Sequence, residues 1–257
     1  MVHPSAVISP SASIHESAEI GPFSVIGDNV TIGADCSLHS HVVIGPNTRM
    51  GSGNEVFPFA SIGGKTQDLK YAGEPTSLEI GDRNVFRENC TVHRSTDQSI
   101  PTRIGDDNLF LCYSHVAHDC QVGNHVIFSN EAGVAGHCII EDHAIVSAKA
   151  GVHQFVRIGA HSLVAGMARI VKDVPPFCIV EGTDAAVRAL NSIGLQRRGF
   201  SKEDLSALKR AYKKLFLHKE LNLGTALAEL SDLPEAKNER VAALITFIKN
   251  SERGVTR

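Results

Sequence analysis

Tryptophan is absent from the 257-residue chain, and aromatic residues account for only 5% of it. The charges nearly cancel, with 25 Lys and Arg against 28 Asp and Glu, so no affinity for nucleic acid is expected. No apolar run approaches the roughly 20 residues that cross a bilayer. The N-terminal MVHPSAVISP lacks the basic and apolar segments of a signal peptide. We therefore expect a cytoplasmic protein without a transmembrane segment.

Paired spacings of the kind found in zinc sites are also missing among the six cysteines. In the cytoplasm such cysteines are reduced thiols rather than a disulfide framework. Glycine, valine and isoleucine are abundant by contrast, which favours tightly turned β structure.

A period of six runs through the sequence from Ile8 to Ile170. Nearly every sixth residue is apolar, and the exceptions are Asp68, Glu74 and Gln98. Neither an α-helix nor a plain alternating strand sustains this period, whereas a short strand followed by a tight corner does. Three such units close one turn of a triangular coil, and stacked coils form a hexapeptide parallel β-helix.

The residue two places before each apolar position is nearly always small, and it faces the core. Four cysteines occupy this position and are predicted to be core residues: Cys36, Cys90, Cys120 and Cys138. This excludes Cys120 of SHVAHDC (114–120) as a nucleophile. Cys112 and Cys178 lie off the position, and no role is predicted for them.

In two segments the spacing of six residues continues, but the positions that should be apolar are polar. They are GGKTQDLKYAGEP (63–75) and RSTDQSIP (94–101). We expect loops that leave the coil near residues 64–77 and 94–102, because charged side chains are costly inside it. The first loop contains Gln67, Asp68, Lys70 and Tyr71, a polar set suited to a sugar or phosphate. A tolerated surface insertion is the alternative.

The repeat is expected to end at DVPP (173–176), because paired prolines cannot continue a ladder. We place the β-helix in residues 1–185 and a C-terminal α-helical domain in 186–257. Ser201 with Asp204 predicts the start of a helix that extends to residue 220. A basic cluster that includes Arg197 and Arg198 suits phosphates or an acidic partner, and an ordinary solvated helix face is the alternative.

Histidines are numerous, with 13 in the chain. His118, His137 and His153 fall close to the same corner on successive coils, and His115 precedes them. Imidazoles there can bind a metal or accept a proton near neutral pH. Alternation of side chains breaks at a corner, so Asp119 can hydrogen-bond the adjacent His118 and fix its tautomer.

Several motifs together resemble the UDP-N-acetylglucosamine O-acyltransferase family of the hexapeptide-repeat acyltransferases. They are QDLKYAGEPT (67–76), IGDRN (80–84), HVAHDC (115–120), AGHC (135–138), HQF (153–155), DVPP (173–176) and RRGFS (197–201). The resemblance implies a mainly β fold, a left-handed parallel β-helix with a C-terminal α-helical domain. It also implies a cytoplasmic homotrimer with active sites between subunits, and neither cofactor nor metal.

The activity that this resemblance implies is transfer of an R-3-hydroxyacyl chain from acyl carrier protein to the 3-hydroxyl of UDP-N-acetylglucosamine. This is the first step of lipid A biosynthesis. By motif match His118 would be the general base, Asp119 would orient it, and the Gly136 N–H would stabilise the oxyanion.

The resemblance also assigns substrate contacts. Those to the nucleotide sugar and its phosphates would come from the first loop, the corner and the basic cluster: Gln67, Asp68, Lys70, His115, His137, Gln154, Arg197 and Arg198. His153 would lie near the acyl chain, and glycine at position 166 (Gly166) would leave room for a long one. Ile193 departs from the family, which often has an acidic residue there.

Three alternatives remain open from the sequence. A trimeric β-helix zinc enzyme of the carbonic anhydrase type would use His115, His118 and His137. An N-acyltransferase acting on a later glucosamine intermediate shares the coils, but normally has an additional N-terminal domain. A non-catalytic binding scaffold is the third alternative.

Overall fold

Two-residue strands alternate with tight corners through the computed structural model, which describes residues 1–217 and 221–257. Val7 pairs in parallel with Val25, Ser13 with Thr31, and Glu19 with Ser37. Each turn of the chain therefore adds one strand to each of three sheets. The predicted fold class, a left-handed parallel β-helix of hexapeptide repeats followed by helices, is confirmed.

The strands of each sheet are as follows. Sheet 1 consists of Val7–Ile8, Val25–Ile26, Val43–Ile44, Ser61–Gly64, Thr91–His93, His115–Val116, Gly133–Val134, Gly151–Val152 and Arg169–Ile170. Sheet 2 consists of Ser13–Ile14, Thr31–Ile32, Thr48–Met50, Leu78–Ile80, Thr102–Ile104, Gln121–Val122, Ile139–Ile140 and Arg157–Ile158. Sheet 3 consists of Glu19–Ile20, Ser37–Leu38, Glu55–Val56, Val85–Phe86, Leu109–Phe110, Ile127–Phe128, Ile145–Val146, Leu163–Val164, Cys178–Glu181 and Ala186–Leu190. The corners are named 1–2, 2–3 and 3–1 after the sheets that they join.

Side chains that point into the coils form a continuous apolar core. Phe86, Phe110 and Phe128 stack on consecutive coils, with ring centroids 4.8 and 5.2 Å apart. The four cysteines predicted to be core residues are confirmed as such, at no more than 1% exposed: Cys36, Cys90, Cys120 and Cys138. Cys112 instead donates its S–H to Glu88 Oε2 at 3.0 Å.

Asparagines replace the expected small residues on three consecutive coils at corner 2–3. Asn54, Asn84 and Asn108 are all buried. The Asn84 side-chain amide donates to Asn54 Oδ1 at 3.0 Å, and the Asn108 backbone N–H donates to Asn84 Oδ1 at 3.0 Å. This hydrogen-bonded ladder satisfies polar groups that would otherwise be costly in the core, and it links the coils.

The third residue after each apolar position adopts the left-handed backbone conformation at nearly every corner. Its φ is 59° at Asp119 and 60° at His137, for example. Asn, Asp and His tolerate this region better than most residues do. Because the chain turns there, neighbouring side chains at a corner need not point apart.

Two loops leave the coils on the way from sheet 1 to sheet 2, between strands Ser61–Gly64 and Leu78–Ile80 and between Thr91–His93 and Thr102–Ile104. The turns that contain them are longer than an ordinary one. Val43 pairs with Ser61 in the ordinary turn before the first loop, whereas Ser61 pairs with Thr91 across that loop and Thr91 with His115 across the second. Both loops lie where the sequence loses its apolar positions.

The prediction that the paired prolines end the ladder is wrong. Val164 pairs with Val180 beyond them, and Ile158 forms a bridge with Val174. The corner between Ile170 and Val174 is two residues shorter than usual. Pro175 and Pro176 occupy the next corner, 2–3, which has its ordinary length, so one more strand is added to sheet 3. Strand Ala186–Leu190 then returns antiparallel to it. The domain division at residue 185 stays a prediction.

Helices follow the last strand: α1 (Ser192–Arg197), α2 (Lys202–Tyr212), a π-helical turn (Lys213–Leu217), α3 (Leu223–Ser231), a 3₁₀ turn (Pro234–Lys237) and α4 (Glu239–Lys249). Ser201 caps α2 as predicted, because its hydroxyl accepts the Asp204 N–H at 3.0 Å. The predicted extension of this helix over residues 218–220 lies outside the described residues. A second apolar core lies among the helices and includes Cys178. Among the described residues, no helix has the length and apolar composition needed to cross a membrane.

Candidate active site

An imidazole and a carboxylate meet at corner 1–2. His118 Nδ1 lies 2.7 Å from Asp119 Oδ2, and the side chains are 14% and 6% exposed. Asp119 Oδ1 accepts the backbone N–H groups of Thr96 at 2.9 Å and Asp97 at 3.3 Å. The second loop thereby fixes the carboxylate. When Nδ1–H donates to Asp119, the lone pair of His118 lies on Nε2.

His118 lies directly against a glycine of the next coil. Gly136 occupies the equivalent corner position on that coil, and a Cβ added to it would lie 2.4 Å from His118 Cε1 and 2.6 Å from Nε2. Only glycine therefore permits this approach. Among the described residues, no acceptor is found for the Gly136 backbone N–H.

His137 and Asp68 complete a compact cluster. The His137 ring contacts His118 edge-on, with centroids 5.2 Å apart, and its Nε2 lies 3.6 Å from Asp119 Oδ2. One ligand atom each of Asp68, His118 and His137 lies within 4.8 Å of the others. The Lys70 backbone N–H, which donates to Asp68 Oδ1 at 2.9 Å, lowers the pKa of Asp68, and the nearby His118 and His137 add to this effect.

The two loops hold each other over this cluster. Thr66 Oγ1 in the first loop lies 2.7 Å from Thr96 Oγ1 in the second, and Thr96 Oγ1 also lies 3.2 Å from His118 Nδ1. Neither threonine was predicted from the sequence as a site residue, although TQD and STD occur within the loop segments. Lys70 itself is exposed beside the cluster.

A groove of about 550 Å³ runs along sheet 1 from this cluster. The predicted site residues that line it are Gln67, His115, His118, Gly136, His153 and Gln154. His115 Nδ1 lies 2.8 Å from Thr91 Oγ1, and burial lowers the pKa of His115. Phe155, which the sequence analysis did not assign, stacks on His137 with centroids 4.6 Å apart.

Three predicted site residues lie elsewhere in the chain. Gly166 is at corner 3–1, between strands Leu163–Val164 and Arg169–Ile170. Arg197 ends α1, and Arg198 follows it near His143 and His161 of corner 2–3, where burial lowers its pKa. Within one chain the three corners of the triangle keep these residues away from His118.

Within one chain the structure does not bring together the alternative zinc ligand set of His115, His118 and His137. Among the described residues, the cluster with suitable spacing has Asp68 in place of His115. One carboxylate and two imidazoles can bind a divalent metal in principle, but the same groups can hold a polar substrate and move its proton.

The stacked hexapeptide coils and the His–Asp pair at one corner define a hexapeptide-repeat transferase. The family described as "Bacterial transferase hexapeptide (six repeats)" matches residues 23–58 and 101–136, and "Udp N-acetylglucosamine O-acyltransferase; Domain 2" matches residues 173–256. The acyl-[acyl-carrier-protein]–UDP-N-acetylglucosamine O-acyltransferase of Akkermansia muciniphila is 57% identical over 98% of both chains.

Solved structures agree with this relationship. The UDP-N-acetylglucosamine acyltransferase from Bacteroides fragilis is 40% identical with a TM-score of 0.96, covering 100% of both chains. The UDP-N-acetylglucosamine O-acyltransferase from Moraxella catarrhalis is 47% identical with a TM-score of 0.94, covering 100% of this chain and 99% of its own. The chain belongs to the UDP-N-acetylglucosamine O-acyltransferase family.

Proposed function

We propose that the protein transfers an R-3-hydroxyacyl chain from acyl carrier protein to the 3-hydroxyl of UDP-N-acetylglucosamine, as the first step of lipid A biosynthesis. The relatives' names support the reaction and both substrates. The observation that carries the mechanism is the 2.7 Å contact between His118 Nδ1 and Asp119 Oδ2, with Nε2 left for a substrate. A cytoplasmic location and the absence of a cofactor belong to the same proposal.

His118 is the general base. Its Nε2 takes the proton of the sugar hydroxyl as the oxygen attacks the thioester carbonyl, and Asp119 stabilises the imidazolium. The tetrahedral intermediate then collapses with cleavage of the C–S bond. The departing thiolate of the carrier takes the proton back from His118, so the base is regenerated.

Gly136 contributes its backbone N–H to the oxyanion. Two features support this role: its N–H has no acceptor among the described residues, and His118 lies against its Cα. A single such donor typically contributes about 10²-fold or more to the rate.

Under this proposal the sugar binds beside the His118–Asp119 pair, which we call the dyad. Asp68 accepts hydrogen bonds from the hydroxyl groups, Lys70 of the same loop donates them, and Gln67 can do either. His137 faces Asp68. His115, His153 and Gln154 line the groove on the other side. Asp68 is ionised at neutral pH, because its pKa is lowered, and it therefore acts as an acceptor.

The proposed assembly is a homotrimer with its active sites between subunits. Gly166, Arg197 and Arg198 lie on other corners of the triangle, so they reach the dyad only from a second copy of the chain. Exposed apolar side chains along corner 3–1 support such packing: Phe23, Phe59, Tyr113 and Met167. The predicted roles of Gly166 in chain length and of Arg197 and Arg198 in phosphate binding depend on it.

Purified protein, UDP-N-acetylglucosamine and a panel of 3-hydroxyacyl carrier proteins of different chain length provide the test. Turnover with at least one donor is expected, together with an ester at the 3-hydroxyl. An amide-forming reaction on a glucosamine acceptor, with no turnover of UDP-N-acetylglucosamine, would favour N-acyltransfer instead. No turnover with either acceptor would contradict the proposal.

A further inference from the structure

The groove leads from the dyad along sheet 1 to an arginine. The outward residues of four consecutive strands are in register: His115 pairs with Gly133, Gly133 with Gly151, and Gly151 with Arg169. Strands in a sheet are about 4.8 Å apart, so Arg169 lies about 14 Å from His115 along the stack. His115 therefore lies at the end of the groove near His118, and Arg169 lies at the opposite end of the same groove.

The two glycines between them are not required by the local structure. Neither Gly133 nor Gly151 has a left-handed φ. An added Cβ would meet no atom within 4 Å at Gly151, and only His115 Cβ, at 3.9 Å, at Gly133. Side chains would therefore fit the fold at both positions. The two glycines leave this part of the groove without side chains, so an extended ligand can lie directly against the backbone of sheet 1.

The far end of the groove has two guanidinium groups that, among the described residues, have no carboxylate partner. Arg169 is exposed, and its side chain makes no hydrogen bond or ion pair with the described residues. Arg253 donates to the Val171 carbonyl at 3.2 Å, and its Nη2 lies 3.4 Å from His153 Nδ1. Its location is fixed because the Asp173 N–H donates to the Gly254 carbonyl at 2.9 Å.

Nearby acids do not neutralise these cations. Asp173 is buried, and its two oxygens accept the Arg157 N–H at 2.8 Å and the Ser251 hydroxyl at 2.7 Å. Glu252 is exposed and forms no ion pair with Arg253 within the described part of the chain. Two guanidinium groups at the end of a groove, neither paired with a carboxylate among the described residues, suit an anion with several oxygens, such as a phosphate.

We propose that Arg169 and Arg253 bind the phosphate of the phosphopantetheine arm that carries the acyl group, while the arm lies over Gly133 and Gly151. This inference rests on the proposed function, because it concerns the donor of that same reaction. The thioester at one end of the arm then reaches His118 and Gly136, and the carrier protein stays outside the groove beyond Arg169.

The test uses the full-length enzyme with the acyl carrier protein as donor and two unreactive amide analogues as competitors, acyl-phosphopantetheine and acyl-pantetheine. Arg169→Gln and Arg253→Gln are compared with Arg49→Gln, which removes a charge from an exposed residue of sheet 2. With wild-type enzyme, the phosphorylated analogue should compete about tenfold better than the other. Arg169→Gln should abolish this difference and raise the KM for the carrier donor about tenfold.

Several results would overturn the inference. Equal competition by the two analogues, or competition by neither, would mean that no phosphate subsite exists. A raised KM for the carrier with unchanged discrimination between the analogues would mean that the arginines contact carboxylates of the carrier instead. The KM for UDP-N-acetylglucosamine and all parameters of Arg49→Gln should stay at wild-type values. Absence of wild-type turnover would instead contradict the proposed function.

Discussion

His118 and Gly136 lie against each other on successive coils, so closely that a Cβ at position 136 would be 2.4 Å from the imidazole. The N–H of the same glycine has no acceptor among the described residues. The proposed general base and the proposed oxyanion donor are therefore set by one corner of the β-helix, and a single methyl group at position 136 disturbs both.

Gly136→Ala is expected to lower kcat by about 10²-fold, because a shift of the imidazole by about 1 Å removes it from the attacking hydroxyl. Steady-state kinetics together with thermal unfolding measures the effect. Gly224→Ala in α3 is the matched control, since its Cβ would meet only Asn222 Oδ1 at 3.3 Å. Wild-type kcat in Gly136→Ala would show that the close approach has no catalytic consequence.

Asp119→Asn keeps the shape of the side chain but replaces the carboxylate that faces His118 Nδ1. An amide there stabilises the imidazolium less and can select the wrong tautomer, so kcat should fall about 10²-fold or more. The amide oxygen can still accept the Thr96 N–H, and the melting temperature should change little. If kcat is unchanged while the protein is folded, Asp119 does not support the base.

The extent to which the sequence predicts these features depends on how local their causes are. The apolar residues at nearly every sixth position from Ile8 to Ile170 predict the coils of the β-helix, because one buried side chain per strand is enough to fix which face points inward. The same register places residue 136 against residue 118. The contact between Thr66 and Thr96 and the approach of Asp68 to His118 are not predictable this way, since loop conformation depends on tertiary contacts.

Two further features do not follow from the period of six, for a related reason: the buried asparagines and the continuation of the ladder beyond the prolines. Asn84 is acceptable in the core only because Asn54 and Asn108 occupy matching positions on the adjacent coils. Pro175 and Pro176 fit a corner of ordinary length, and the preceding corner between Ile170 and Val174 is the shorter one, which a fixed period of six does not anticipate.

Asn84→Ala should reduce the free energy of unfolding by about 2–3 kcal/mol, because it leaves the Gly105 carbonyl and the Asn108 N–H without their partner. A fall in melting temperature of about 5–10 °C corresponds to this loss. Calorimetry measures both quantities. Since Asn84 is not among the residues proposed to contact substrate, kcat of the folded variant should be unchanged. A melting temperature equal to wild type would contradict the ladder's contribution.

Stability should fall on acidification through His161 at corner 2–3. Burial lowers the pKa of His161 to about 4, below the ordinary value of 6.5. Because the unfolded chain binds the proton more readily, the stabilisation is fully present above pH 6.5 and is lost as the pH falls from there to about 4.

His161→Phe removes this titration while keeping a ring in the stack between His143 and Phe177. Its melting temperature should therefore decline less between pH 7 and pH 4.5 than that of wild type. His15→Phe, at an exposed corner, is the control and should follow the wild-type curve. Parallel curves for His161→Phe and wild type would exclude this histidine as a source of acid sensitivity.

The most direct test of the mechanism is kcat of His118→Ala with the best acyl carrier donor and UDP-N-acetylglucosamine. Without the base, kcat should fall by about 10³-fold, while the fold and the KM for UDP-N-acetylglucosamine are preserved. A folded His118→Ala enzyme that keeps kcat within about tenfold of wild type would contradict general-base catalysis by this imidazole.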